Sequence, residues 1–158
     1  MSTVADYQDR KVDILAFQLN DSKTQLSQSL AAENSGGNIC TGIQKLAQRW
    51  VLEFLTPVGS VPYKPKVGTP FLEKVRQGAI KNSFDVVNYF SAAALMVEVN
   101  LKGEDRQTDP ADERFGKATL DGFSFNNSGK LILNVTLLSA AGTSRKVIMP
   151  ISVTTGLI

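Results

Sequence analysis

Five acidic side chains lie close together in one segment of the sequence, and they are the strongest candidates for catalytic chemistry. The five are Glu104, Asp105, Asp109, Asp112 and Glu113. A glycosidase requires two carboxyl groups about 5 to 9.5 Å apart, so one hypothesis is a peptidoglycan hydrolase that uses acids of residues 104–113. The segment has almost no apolar residue to raise the pKa of an acid, and Lys102, Arg106 and Arg114 lie among the acids. The pattern therefore favours a solvated loop with surface ion pairs.

Other residue types that active sites use are scarce. The chain has no histidine, which removes the commonest general base, Ser-His and Cys-His nucleophile pairs and the usual zinc ligand sets. Cys40 is the only cysteine, and without a histidine to activate its thiol we interpret it as structural. Gly36, Gly37 and Gly42 precede a predicted helix but lack the spacing of a phosphate-binding loop. We therefore predict that the protein is not an enzyme and has no catalytic, cofactor-binding or metal-ligating residues.

Length and composition indicate one domain. The 158 residues, 42% of them hydrophobic, can bury one core but hardly two. We predict a folded core over residues 12–153, preceded by a flexible arm over 1–11. The net charge of +2 provides no field that would attract nucleic acid, and the longest apolar stretch, 91–97, is far shorter than the roughly 20 residues that span a bilayer. We expect neither nucleic acid nor a membrane as a partner, and folding in a cytoplasm.

The first predicted element is a strand over residues 12–19. Its apolar side chains nearly alternate, and they are Val12, Ile14, Leu15, Phe17 and Leu19. Residues 20–42 then shift to Ser, Gln, Asn and Gly, a composition that favours a surface excursion, within which a short strand is allowed.

The clearest element is an amphipathic helix that begins at Ile43. Apolar residues recur at helical spacing at Ile43, Leu46, Ala47, Trp50, Val51, Phe54 and Leu55. Thr41 is the predicted N-cap, and Pro57 and Gly59 end the helix. Trp50 lies at the centre of the apolar stripe, so we interpret it as a core anchor. Four of the six prolines lie in residues 57–70, which predicts a rigid loop or a small hairpin.

Two further helices are predicted next. A short one contains Phe71, Leu72 and Val75 and stops near Gly78. Asn82 or Ser83 can cap the third helix, which leads into an extended segment over 97–101. The core-facing stripe of that helix is predicted to consist of Phe84, Val87, Phe90, Ala94 and Leu95.

The C-terminal third is predicted to be a sheet. Strand-like runs over 119–125, 131–138 and 146–153 are joined by turn-forming residues at 127–129 and 141–142. The predicted fold class is therefore α+β, with an N-terminal strand, about three helices and a C-terminal antiparallel β-meander that forms one sheet covered by helices.

A local excess of basic residues follows the first helix. It consists of Lys64, Lys66, Lys74, Arg76 and Lys81. Such a cluster can dock an acidic partner surface through electrostatic complementarity, although a solvated face is the simpler interpretation.

Residues 43–69 resemble the baseplate-wedge and sheath-initiator family of contractile phage tails, which has relatives in type VI secretion. The resemblance rests on the helix and on a Thr-x-x-Gly turn and a Pro-x-x-Gly-Thr segment formed by Thr56, Gly59, Pro65, Gly68 and Thr69. The order of predicted elements over 12–153 is also similar. Two family patterns differ: Pro-Gly-Glu is Val58-Gly59-Ser60 here, and Glu-Pro-Arg is Asp112-Glu113-Arg114. Some relatives were labelled lysozyme-like, a label that the scarcity of catalytic groups does not support.

The resemblance implies a virion structural protein of the tail baseplate, made in the host cytoplasm and present in several copies in a ring around the tail tube. Its partners would be the tail sheath and other wedge proteins, and it would template the first sheath ring by strand pairing. The implied interface residues are Val12, Ile14, Phe17, Leu19, Lys64, Lys66, Glu113, Arg114, Val147, Met149 and Ile151. Both terminal runs can equally be ordinary internal strands of one sheet. The alternatives to this function are the hydrolase and a small adaptor protein of the same fold.

Overall fold

Three helices and a C-terminal three-stranded sheet form the main body of the chain. The computed structural model describes residues 13–14, 17–19, 26–28, 39–125 and 129–152. The helices are α1 (Gly42–Leu55), α2 (Phe71–Arg76) and α3 (Ser83–Glu104). The strands are β1 (Asp13–Ile14), β2 (Phe17–Leu19), β3 (Leu26–Gln28), β4 (Ile39–Cys40), β5 (Phe115–Phe125), β6 (Lys130–Ser139) and β7 (Ser144–Ser152). The α+β class predicted from the sequence is confirmed.

The N-terminal run predicted as one strand is present as two short strands. β1 pairs with β4 and β2 pairs with β3, both antiparallel, so the partners come from the excursion over 20–42. In the described part of the chain, neither β1 nor β2 joins the C-terminal sheet. Val12 and the side chains of Ile14, Phe17 and Leu19 lie outside the described parts, so their assignment to a partner interface stays a prediction.

The core lies between the helices and one face of the sheet. Strand β6 alternates strictly, because its even-numbered residues face away while Leu131, Leu133, Val135 and Leu137 are buried. Helix α1 packs on β6 and β7 with the stripe that its spacing predicted, and its buried apolar residues are Leu46, Ala47, Trp50, Val51 and Phe54. Trp50 has no exposed surface, which confirms its interpretation as a core residue.

Helix α3 buries a different face from the predicted one. Its buried residues are Val86, Phe90, Ala93, Val97 and Leu101. Of the predicted stripe only Phe90 is buried, whereas Phe84 is 72% exposed and Leu95 is 61% exposed. The prediction was wrong because α3 carries apolar residues around most of its circumference, so helical periodicity alone does not select the core-facing side.

The end of α3 also differs from the prediction. The asparagine cap is confirmed, since the side chain of Asn82 accepts a hydrogen bond of 2.9 Å from the backbone N–H of Asp85. Residues 97–101, predicted as extended, are helical. Val97 and Leu101 lie one turn apart and are both buried in the core, and this packing overrides the strand preference of the β-branched Val97 and Val99.

The sheet is an antiparallel meander in the order β5-β6-β7. β5 is interrupted by register shifts between Phe115 and Lys117 and between Leu120 and Gly122, while β6 and β7 pair without a break. The turn between β6 and β7 contains Gly142 with φ of 82°, as its turn chemistry predicted. Among the described helices, none is both long enough and apolar enough to cross a bilayer.

Candidate partner-binding surfaces

Glu113 lies at the amino end of α1 and not on a partner-facing surface. Its Oε1 accepts a hydrogen bond of 3.0 Å from the backbone N–H of Gly42, and its Oε2 is 2.9 Å from the Nζ of Lys45. Thr41 occupies the N-cap position, but its side chain makes no cap hydrogen bond. A carboxylate from 71 residues away therefore caps the positive end of the helix. Because Glu113 is only 4% exposed, its assignment as an interface residue is corrected: it is an internal capping residue.

Asp105 is a second buried carboxylate. Its Oδ1 is 3.0 Å from Nη1 of Arg49 on α1, and its Oδ2 accepts a 2.7 Å hydrogen bond from the backbone N–H of Phe115. The side chain is 8% exposed. The interpretation of residues 104–113 as a solvated loop was therefore wrong for two of its acids. They connect this loop to α1 and to the start of β5, a proximity that linear spacing does not reveal.

Glu104, Asp109 and Glu113 line an open cleft of mixed charge. The cleft has a volume of about 410 Å³ and includes the side chains of Lys45, Arg49, Arg106 and Glu113. Both carboxylates described above already accept backbone hydrogen bonds and bind a cation, so neither is placed as a proton donor to a substrate. Among the described residues, no group of three or more metal-ligating side chains lies together.

Cys40 is buried at the end of β4. Burial, with the nearby negative charges of Asp13 and Glu113, raises the pKa of its thiol to about 11. The thiol is therefore protonated at neutral pH, which makes it a poor nucleophile and agrees with its interpretation as a structural residue.

The residues of the Thr-x-x-Gly and Pro-x-x-Gly-Thr patterns close the Pro/Gly segment, residues 57–70, against the end of α1. The backbone N–H of Thr69 donates a 2.8 Å hydrogen bond to the carbonyl of Thr56, and the Thr69 hydroxyl donates one of 2.6 Å to the carbonyl of Phe54. Gly59 and Gly68 have positive φ of 79° and 98°. Pro65 lies in the exposed turns between them. The segment is an ordered loop, as predicted, and Thr56, Gly68 and Thr69 lie in contact where its two ends meet.

Gly68→Ala should lower the free energy of unfolding by about 2 kcal/mol or more. A Cβ at position 68 combines a left-handed backbone with a clash against the carbonyl oxygen of Thr56. Gly59→Ala is the matched control, because φ is also positive there but the space around its Cβ is open. It should lose only about 1 kcal/mol. Equal losses in urea denaturation would remove the close approach as the reason for glycine at 68.

The two lysines assigned to a partner interface lie on the Pro/Gly segment, and both are exposed. The Nζ of Lys64 is 2.6 Å from Glu104, and this hydrogen bond raises the pKa of Lys64. The backbone carbonyl of Lys66 accepts a 3.0 Å hydrogen bond from Asn100. Lys64 therefore already has an anionic partner within the chain. The side chain of Lys66 is exposed, as a contact with a partner would require.

Asn100 is a residue that sequence reasoning missed. Besides its bond to the Pro/Gly segment, its Nδ2 donates a 2.7 Å hydrogen bond to Oε1 of Glu53 on α1. Lys45 and Arg49 were missed in the same way, although their spacing of four places both on one side of α1 and could have indicated an acid-binding face.

Glu53→Gln should raise the free energy of unfolding at neutral pH. Burial raises the pKa of Glu53, and this effect is larger than the lowering of the pKa by the hydrogen bond from Asn100. The folded state then binds the proton more tightly than the unfolded state, so ionisation lowers stability as pH rises through this pKa. The advantage of the glutamine variant should vanish when pH falls below the unfolded-state pKa of about 4.3. Denaturation curves at several pH values measure it, with the exposed Glu73→Gln as control, and a difference independent of pH would contradict it.

The predicted interface side chains of β7 are part of the core. Val147, Met149 and Ile151 are 0%, 1% and 6% exposed. Strand alternation therefore directs these side chains inward, against the helices, while pairing of the β7 backbone with a partner stays a prediction. Arg114 is half-buried, and its Nε is buried without a hydrogen-bond partner among the described residues.

Searches against family models, curated proteins and solved structures found no match. The functional assignment therefore depends on the residues and geometry of this chain, together with the family resemblance of residues 43–69.

Proposed function

We propose that this protein is a structural subunit of a contractile phage-tail baseplate wedge and that it initiates assembly of the tail sheath. It acts in several copies around the tail tube and contacts sheath and wedge proteins. It works by pairing strands and not by catalysis.

One observation carries the proposal. Three residues of the pattern shared with sheath initiators, Thr56, Gly68 and Thr69, lie in contact where the Pro/Gly segment closes against the end of α1. Patterns of this kind arise by chance in unrelated sequences, but the residues of a chance match need not contact one another in the structure. The order of helices and meander found in the structure also agrees with the order that the resemblance implies.

The hydrolase alternative is weakened by the same site. Asp105 and Glu113, two of its five candidate acids, hold backbone N–H groups and cations within the domain. Glu104, a third of these acids, is 2.6 Å from Lys64. No observation on the described residues favours the hydrolase or the adaptor over the wedge subunit.

Tail particles purified from the phage that encodes the chain provide the test. We expect mass spectrometry to detect the full-length chain in several copies per particle, and an electron cryo-microscopy map to place it against sheath or wedge subunits. Deleting its gene should yield tubes without sheath, and supplying the full-length chain should restore the sheath. Absence from the particles, as expected of an adaptor, or presence without contact to sheath or wedge subunits would refute the proposal.

A further inference from the structure

The two edges of the meander differ in their capacity to accept another strand. The β7 edge contains Pro150, which has no backbone N–H, and β3 contacts β7. Proline in a sheet is typical of an edge that does not pair further. The β5 edge has no proline over its 11 residues, and its backbone pairs only with β6 among the described strands. A strand can therefore be added at β5 more readily than at β7.

A groove runs along the β5 edge. It has a volume of about 540 Å³ and lies between α3 and residues 117–120 of β5. On the α3 side it includes Val87, Ala94 and Leu95, of which Val87 is 45% exposed and Leu95 is 61% exposed. Periodicity placed all three residues in the core. The fold leaves Val87 and Leu95 on the surface beside an unpaired strand edge, while Ala94 is partly buried.

Regular backbone geometry is available beside the groove. Between its two register shifts, β5 pairs with β6 in unbroken register from Lys117 to Leu120. The edge of β5 that faces away from β6 has one hydrogen bond among the described residues, which the backbone N–H of Phe115 donates to Asp105. Backbone N–H and C=O groups on that side need a partner whenever water is excluded from them.

The charge at the groove is also uncompensated. Lys117 is exposed at its rim and has no ion-pair partner among the described residues. Glu98, the acid that lines the groove, is 2.6 Å from the Nζ of Lys102 and is therefore neutralised. A partner that carries an acidic residue near Lys117 is complementary to this surface.

From these features we infer that the β5 edge and its groove bind an extended segment of a partner protein as a fourth strand. Alternate residues of that segment are apolar and occupy the groove against α3, and an acidic residue lies near Lys117. Main-chain hydrogen bonds to β5 supply affinity, and the groove supplies selectivity. A helix would cover the apolar residues but leave the β5 backbone unpaired. The inference rests on the proposed function for the identity of the partner, a sheath or wedge subunit, and on geometry for the edge.

Photo-crosslinking at one position on each edge tests the inference. Thr119 on β5 and Lys146 on β7 are both paired with Thr136 of β6, so they lie at the same level of the sheet on its two edge strands. Either residue is replaced by the photo-reactive benzoylphenylalanine in the full-length chain, inside the cells that assemble it. After irradiation, mass spectrometry identifies the peptide that is crosslinked to it. We expect the Thr119 variant to attach to one extended segment of another protein, with a yield at least about tenfold above that of the Lys146 variant.

A second pair of variants tests the groove. Leu95→Glu, introduced together with the Thr119 crosslinker, should reduce the yield about tenfold because it places a charge against the apolar side of the added strand. Leu52→Glu on α1, at a leucine 43% exposed and away from the groove, should leave the yield unchanged. Melting curves confirm that both variants fold.

The outcomes distinguish a failure of the inference from a failure of the proposed function. Attachment at Thr119 to a sheath or wedge subunit supports both, and attachment there to an unrelated protein supports the edge but refutes the phage function. Attachment to a tail protein from Lys146 alone, or no effect of Leu95→Glu, overturns the inference and leaves the function standing. Attachment of the Thr119 variant to a second copy of the chain also overturns the inference, because β5 then pairs with itself.

Discussion

Trp50→Ala should lower the free energy of unfolding by about 3 to 5 kcal/mol. The indole has no exposed surface, and its ring stacks on Phe54 at a centroid distance of 4.8 Å and lies 6.2 Å from the ring of Phe90. Truncation loses these contacts and leaves a cavity where α1, α3 and the sheet meet. Since domains of this size are stable by only about 5 to 15 kcal/mol, a large unfolded fraction is expected on mild heating.

Trp50→Phe is the informative control for this prediction. The Nε1 of Trp50 is buried and has no hydrogen-bond partner among the described residues, so phenylalanine loses part of the ring but also removes this unsatisfied donor. We expect its loss to be well under half that of alanine. Urea denaturation followed by circular dichroism measures both variants. An alanine variant within about 1 kcal/mol of the wild type would show that the core does not depend on this ring.

Glu113→Gln should lower the free energy of unfolding by about 2 to 3 kcal/mol, somewhat less than for a fully buried pair because Lys45 retains some solvent contact. The side chains of Lys45 and Glu113 are 16% and 5% exposed. Glutamine can still accept the hydrogen bond from Gly42, but it leaves the ammonium of Lys45 in a poorly solvated place with less compensating charge. The double variant with Lys45→Met should recover much of the loss, because it also removes the ammonium that Glu113 neutralises.

A surface pair in the same protein provides the comparison for Glu113. Glu98 and Lys102 are 2.6 Å apart on α3, with side chains 37% and 51% exposed. Glu98→Gln should change stability by no more than about 0.5 kcal/mol, as expected of a solvated pair. Thermal and urea denaturation of the three variants measure the contrast. If the Glu98 and Glu113 variants lose the same amount, the charge of Glu113 contributes no more to stability than that of a solvated pair.

Features encoded by neighbouring residues were predictable from the sequence. The stripe of α1 needs only the spacing of Leu46, Trp50 and Phe54, because one side of that helix is polar. The Asn82 cap needs only a short polar side chain before a helical run. The meander needs only alternation and turn residues. Each of these patterns operates within a few residues, so the sequence order already contains the information.

Features that depend on distant residues were not predictable. The phase of α3 was wrong because an almost wholly apolar helix fits a core in more than one rotation, and the choice depends on what packs against it. Glu113 and Asp105 were interpreted as surface acids because their cations, Lys45 and Arg49, are 68 and 56 residues away in the chain. The burial of an acid depends on such partners and not on its immediate neighbours.

The helix and Pro/Gly segment over 43–69 show where this division falls. The sequence by itself determined that α1 forms, that Trp50 anchors the core and that a rigid loop follows, because these depend on local spacing and on the backbone limits of proline and glycine. Only the tertiary structure decided which edge of the sheet is open, which side of α3 faces solvent and which carboxylates are internal. Those properties arise from packing between elements far apart in the chain, and packing energies have no counterpart in local sequence patterns.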